Sequence, residues 1–141
     1  MAIAEYQANS PSPVLSAEHE SKQAKILAKG LVRLLHDHWQ LTREQQCELL
    51  GLSTQSRRKL LEMADGLAEL PKGRDAADRA GYLLAIHKAL GLLYPANPEL
   101  RYGWVKLFNQ ELQCVPLQMM LNDGILGLAK VSRYLDFVRG R

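Results

Sequence analysis

Ser53, Thr54 and Gln55 stand just before Arg57, Arg58 and Lys59 in a chain of 141 residues. This grouping suits a nucleic acid, because short polar side chains at a helix N-terminus meet base edges while cations meet phosphates. The same residues also fit an αα corner that turns a basic face to solvent. A second grouping, Arg101-Tyr102-Gly103-Trp104, holds the three side-chain types most enriched at interface anchors, since each joins a large contact area to a polar handle. For Trp104 alone, the simpler role is to cap a small hydrophobic core. A third, Arg139-Gly140-Arg141, stands at the C-terminus. Its glycine is flexible enough to leave a helix axis, so the tail is expected either to enter a partner's cleft or to fray in solvent.

Other reactive residue types are less organised. His36-Asp37-His38 suggests a metal, but helical residues two apart point to different faces and no further Cys or His completes a ligand set. Two histidines near the negative end of a helix dipole account for them more simply. His87 sits at the margin of an apolar helix, and Cys47 reads as core filler, with no basic cluster near it in sequence to lower its thiol pKa. No Gly-rich phosphate loop, GxSxG elbow or paired-carboxylate spacing occurs. Neither enzymatic activity nor a metal or other cofactor is expected.

The elements that position these groups all have helical signatures. Residues 1–16, with Pro11 and Pro13 among Asn9, Ser10 and Ser12, have no sustained period and read as a mobile arm. From Ala17, the residues Ala24, Leu27, Ala28, Leu31, Leu34 and Leu35 recur at steps of three and four, a helix ending near Trp39. Thr42 and Gln45 have capping-box spacing for a short helix to Leu50, and Gly51 supplies a left-handed stop. Ser53 is the expected N-cap of the next helix, which carries Leu60, Leu61 and Met63 inward and leaves a joint of about three residues. Asp75–Tyr94 is the strongest helix, with Ala80, Leu83, Leu84, Ile86, Leu90 and Leu93 on a broad apolar face. Asn97-Pro98 starts another helix, Pro116 punctuates the following stretch, and the last helix begins near Asp123-Gly124 and buries Ile125, Leu128, Val131, Leu135 and Val138. The expected fold is all-α: an arm (1–16), a helix-turn-helix bundle (17–95) and a small helical segment (96–141) for partner binding and dimerisation.

Composition bounds the reading without naming a partner. Hydrophobic residues at 47% and charged residues at 23% describe a chain that folds. The net charge of +3 is unevenly placed: residues 1–70 hold 8 basic and 9 acidic groups, residues 71–141 hold 10 and 6. Cys47 and Cys114 form no CxxC pair, the first 21 residues lack Lys and Arg, and no apolar run is long enough for a membrane. A cytoplasmic protein with reduced thiols is expected.

With both groupings in place, the chain from about Leu27 to Arg139 resembles the Xre/MbcA/ParS-type antitoxins of RES-domain toxin-antitoxin pairs. The resemblance rests on the helix-turn-helix, on Asp75–Tyr94, and on Asn97-Pro98, Tyr102-Gly103-Trp104, Asn109, Pro116-Leu117, Gly124 and Arg133-Tyr134-Leu135 in that order. It implies a small all-α homodimer that binds its toxin through the C-terminal region, covers the toxin's NAD-consuming active site and represses its own promoter. Ser53, Thr54, Gln55, Arg57, Arg58 and Lys59 are then the expected DNA contacts, and Arg101, Tyr102, Trp104, Arg133, Arg139 and Arg141 the expected toxin contacts. Two departures stand out: Arg57 replaces an apolar residue, and Gln113-Cys114-Val115 replaces small Gly or Ser residues. A stand-alone helix-turn-helix regulator with no toxin partner is the alternative. The C-terminal half is expected to hold the dimer, through residues such as Leu107, Phe108, Leu112 and Met119.

Overall fold

The computed structural model describes residues 13–53 and 55–141. Among them the fold is all-α, with no strand and one isolated antiparallel bridge, Asn109 to Cys114. Helix α1 (Pro13–Arg33) runs into a π-helical turn, Leu34–His38. Then follow α2 (Arg43–Leu50), α3 (Arg57–Ala64), α4 (Arg74–Leu93), α5 (Pro98–Gly103) with a 3₁₀ turn at Trp104–Lys106, α6 (Pro116–Asp123) and α7 (Ile125–Arg139).

Helix α1 starts earlier than its periodicity suggests. Proline suits the first turn of a helix, where its missing N–H loses no bond, and residues 13–16, expected in the arm, are helical. The rest of that arm, residues 1–12, lies outside the described residues. The π turn adds one residue to the helical repeat, closed by Trp39 N–H donating to the Leu34 carbonyl at 2.9 Å. Leu34, Leu35 and Trp39 are all buried there.

Two termination signals act as their residue types dictate. Thr42 Oγ1 accepts from the Gln45 N–H at 3.1 Å and Gln45 Oε1 accepts from the Thr42 N–H at 3.0 Å, a complete capping box. Gly51, at φ 75°, ends α2; a Cβ there would also lie 2.9 Å from Asp75 Oδ2, so both conformation and space select glycine.

The start of α3 is a correction. Ser53 does not cap it: Ser53 Oγ accepts from the Gln55 N–H at 3.2 Å and the Ser53 carbonyl from the Ser56 N–H at 2.8 Å. This local turn absorbs the groups that would have opened the helix. Helix α3 begins at Arg57, after Ser56, and the joint occupies residues 51–56.

One hydrophobic cluster runs through both halves of the chain, from Ala28, Leu31 and Leu35 through Leu49, Leu60, Met63, Leu83 and Ile86 to Trp104, Leu117, Leu128, Val131 and Leu135. Helices α4 and α7 share its most extensive interface, and α6 folds tightly on α7. That last approach depends on Gly127, where a Cβ would lie 2.2 Å from the Met119 carbonyl oxygen. Leu27, Leu61 and Leu84, expected inside, are exposed. Their helices have apolar faces wider than the neighbours that cover them.

Candidate functional site

Helices α2 and α3 form the expected corner, and Arg79 of α4 fastens it. Its Nη1 donates to the Glu48 carbonyl at 3.0 Å and its Nε to Asp75 Oδ2 at 2.9 Å. A cation thus meets the carbonyl end of α2, the favourable end of the helix dipole. The Arg79 side chain is only 16% exposed. In the sequence only its i,i+4 relation to Asp75 is visible, because the Glu48 carbonyl it holds lies 31 positions away.

Cys47 lies in the corner, buried, and burial pushes its thiol above the usual range, with Glu44 adding to the effect and Arg57 and Arg43 opposing it weakly. Leu60 and Met63 are the buried residues of α3. Arg57 faces solvent at the first turn, so its charge is not forced into the core. Arg58 also faces solvent, 3.3 Å from Glu62, while Lys59 is half-buried. Ser53 and Gln55 are exposed on the preceding turn; Thr54 lies outside the described residues. No acidic residue occupies the first turn of α3, so its cations gather at the end of the helix where the dipole disfavours them.

In the C-terminal segment, the expected contacts divide into supports and surface. Asn97 Oδ1 accepts from the Leu100 N–H at 3.1 Å, with Pro98 at the first helical position. Arg101 turns back, its Nε donating to the Tyr94 carbonyl at 3.1 Å and its Nη2 to the Pro95 carbonyl. It caps the end of α4. Tyr102 stacks on His38, ring centroids 4.3 Å apart, and so ties α5 to the π turn. Trp104 is 8% exposed and stacks on Tyr134 at 6.2 Å. Its ring belongs to the core, the simpler of its two expected roles. His87 lies beside this region, and burial lowers its pKa from the ordinary 6.5, helped by the charges of His38 and Arg101.

The last helix carries the remaining arginines. Arg133 is exposed, and Arg139 Nη2 lies 3.2 Å from Asp136 Oδ1. Gly140 keeps a helical φ of −83°, its N–H bonded to carbonyls of the preceding turn. Gly140 thus continues the helical path, and the Arg141 side chain turns back along it: its Nη2 donates to both Glu111 oxygens, at 2.7 and 2.9 Å, and its guanidinium stands 4.9 Å from the Phe137 ring centre. The Arg141 hydrogen bond, with that from Tyr134, holds the Glu111 carboxyl below its ordinary range. Asn109 closes this network, donating from Nδ2 to Tyr134 Oη at 3.3 Å and accepting the Leu112 N–H at 2.9 Å. Gln113 sits at φ 57°, a left-handed conformation that glycine adopts at least cost.

Of the apolar residues expected at a dimer contact, Leu107 and Phe108 are 53% and 62% exposed, whereas Leu112 and Met119 pack against the core. Leu126 and Phe137, which belong to no motif in the sequence, are also exposed. The expected histidine pair separates: His36 bonds to Gln46 while His38 stacks on Tyr102. Among the described residues, no three His, Cys, Asp or Glu side chains gather as a metal site, and no helix is long and apolar enough to cross a membrane. No family model, curated protein or solved structure matches the chain.

Proposed function

We propose that this chain is an antitoxin that binds and inhibits a RES-domain, NAD-consuming toxin and represses its own promoter. The observation that carries the reading is the C-terminal surface. Leu126 and Phe137 are large, apolar and uncovered, and Arg133 and Arg139 are exposed on the same helix, α7, with Arg141 just past its end. Aromatic and aliphatic anchors beside arginines are the composition of a protein-binding surface. Trp104 contributes by filling the core, and Arg101 by fixing the α4–α5 turn that precedes Tyr102.

Inhibition on this reading is occlusion: the C-terminal segment of the antitoxin covers the mouth of the toxin's site and keeps NAD out. A dimer formed through the same half would set two α3 helices on one face of DNA, separated by roughly 34 Å or a multiple of it, for an inverted repeat. The test is to express the chain beside its chromosomal neighbour. Toxicity of the neighbour alone, rescue by this chain and copurification are expected; neither rescue nor copurification would contradict the proposal.

The exposed Arg57 and Arg58 at the head of α3 favour one further reading, a stand-alone regulator that binds DNA without a toxin. Promoter binding with a non-toxic neighbour is its distinguishing outcome.

A further inference from the structure

A cleft of about 370 Å³ opens where α1, the π turn, the start of α2 and the end of α3 meet. It lies at the opposite end of α3 from Arg57 and involves none of the proposed DNA or toxin contacts. Lys29, Arg33, His36 and Arg43 line it with a single carboxylate, Asp37. The Arg33–Asp37 pair is long at 3.9 Å and both side chains are more than half exposed, so it neutralises little of the cleft's positive charge.

A buried residue orients two of these groups. Gln46 is 0% exposed. Its Oε1 accepts from Arg43 Nη1 at 3.0 Å, and its Nε2 donates to the Leu41 carbonyl at 2.8 Å. A guanidinium only donates and a carbonyl only accepts, so both neighbours fix the same orientation of the amide. The remaining amide hydrogen faces His36 Nδ1 at 3.0 Å. That nitrogen must accept, which places the proton of the neutral ring on Nε2 and makes His36 a donor on its outer side. Arg43 keeps its Nε and Nη2 hydrogens without a protein partner among the described residues. Gln46 thus both satisfies the buried Leu41 carbonyl and fixes the two side chains that face the cleft.

We infer that this cleft binds a phosphate-type oxyanion, with Arg43 and His36 as the oriented donors and Lys29 and Arg33 supplying charge. Guanidinium and imidazole N–H groups match the acceptor oxygens of such an anion. The apolar lining from Val32 and Ala64 leaves room for the carbon skeleton that carries it. The phosphate can be free or part of a DNA backbone.

The test titrates inorganic phosphate into the full chain at constant ionic strength, set with chloride, and follows the Arg43 Nε–H and His36 ring signals by NMR. Saturable shifts of both are expected, with affinity falling about tenfold or more in Arg43→Gln and unchanged in Lys22→Gln, an exposed lysine outside the cleft. Should Arg43→Gln fail to fold, Lys29→Gln, at an exposed position, carries the comparison with the same expected direction. A short mixed-sequence duplex forms the second arm. Shifts of the same two signals only with duplex, abolished in Arg43→Gln, assign the phosphate to DNA. The inference is overturned if neither probe gives saturable shifts, or if Lys22→Gln weakens binding as much as the cleft variants.

Discussion

Arg79 and Arg101 have the same physical role in two places, each laying a guanidinium on the carbonyls at a helix end. Arg79 joins the end of α2 to α4, and Arg101 closes the end of α4. Arg79→Met keeps much of the aliphatic volume but leaves the Glu48 carbonyl and the Asp75 carboxylate without their partner. Because the two partners are exposed, a destabilisation of about 1 kcal/mol in a urea melt is expected, and a change below about 0.5 kcal/mol would show the contact to be incidental. His87 predicts a pH dependence. Its pKa in the folded chain is below the ordinary 6.5, so the unfolded chain binds the proton more readily and stability falls as pH drops below 6.5 towards the folded value. His87→Gln should flatten the stability profile below about pH 7. An unaltered slope would assign the dependence to other groups.

Helix existence was legible where a local signal terminated the element. Thr42, Gly51, Asn97 and Pro98 each act through neighbours within a few positions, and each stands in its expected role. The start of α3 was not legible, because Ser53 had two local uses, a helix cap or a turn, and only the packing of Leu60 and Met63 selects between them. The turn moves Arg57 and Arg58 to the exposed first turn of α3, from which, on the proposed function, they would reach a phosphate backbone. Replacing Arg57, Arg58 and Lys59 together by Ala should weaken promoter binding and flatten its salt dependence, by about one unit of slope for each phosphate no longer bound. Unchanged affinity and slope in a gel-shift series over salt concentration would remove this face from DNA binding. In the C-terminal segment the arrangement of the side chains was not legible. Nothing local in the sequence distinguishes Trp104 as core and Phe108 as surface, or pairs Arg141 with Glu111 across 30 positions.

At the level of the whole molecule, a single core joins the α2–α3 corner to the C-terminal segment. The uncovered Leu107 and Phe108 lead us to expect self-association through the C-terminal half. Sedimentation velocity should find a dimer at micromolar concentration, and Phe108→Ser should shift it towards monomer; a monomer at tens of micromolar would remove this basis for paired DNA half-sites. The proposed antitoxin role is tested most directly by NAD itself, measured in cells that express the chromosomal neighbour alone, with this chain, or with its Leu126→Ser/Phe137→Ser variant, both positions being exposed on α7, at matched protein levels. NAD is expected to collapse with the neighbour alone, to be preserved by the intact chain and to fall again, at least in part, with the variant. NAD that stays level when the neighbour is expressed alone, or falls equally with and without the intact chain, would contradict that role.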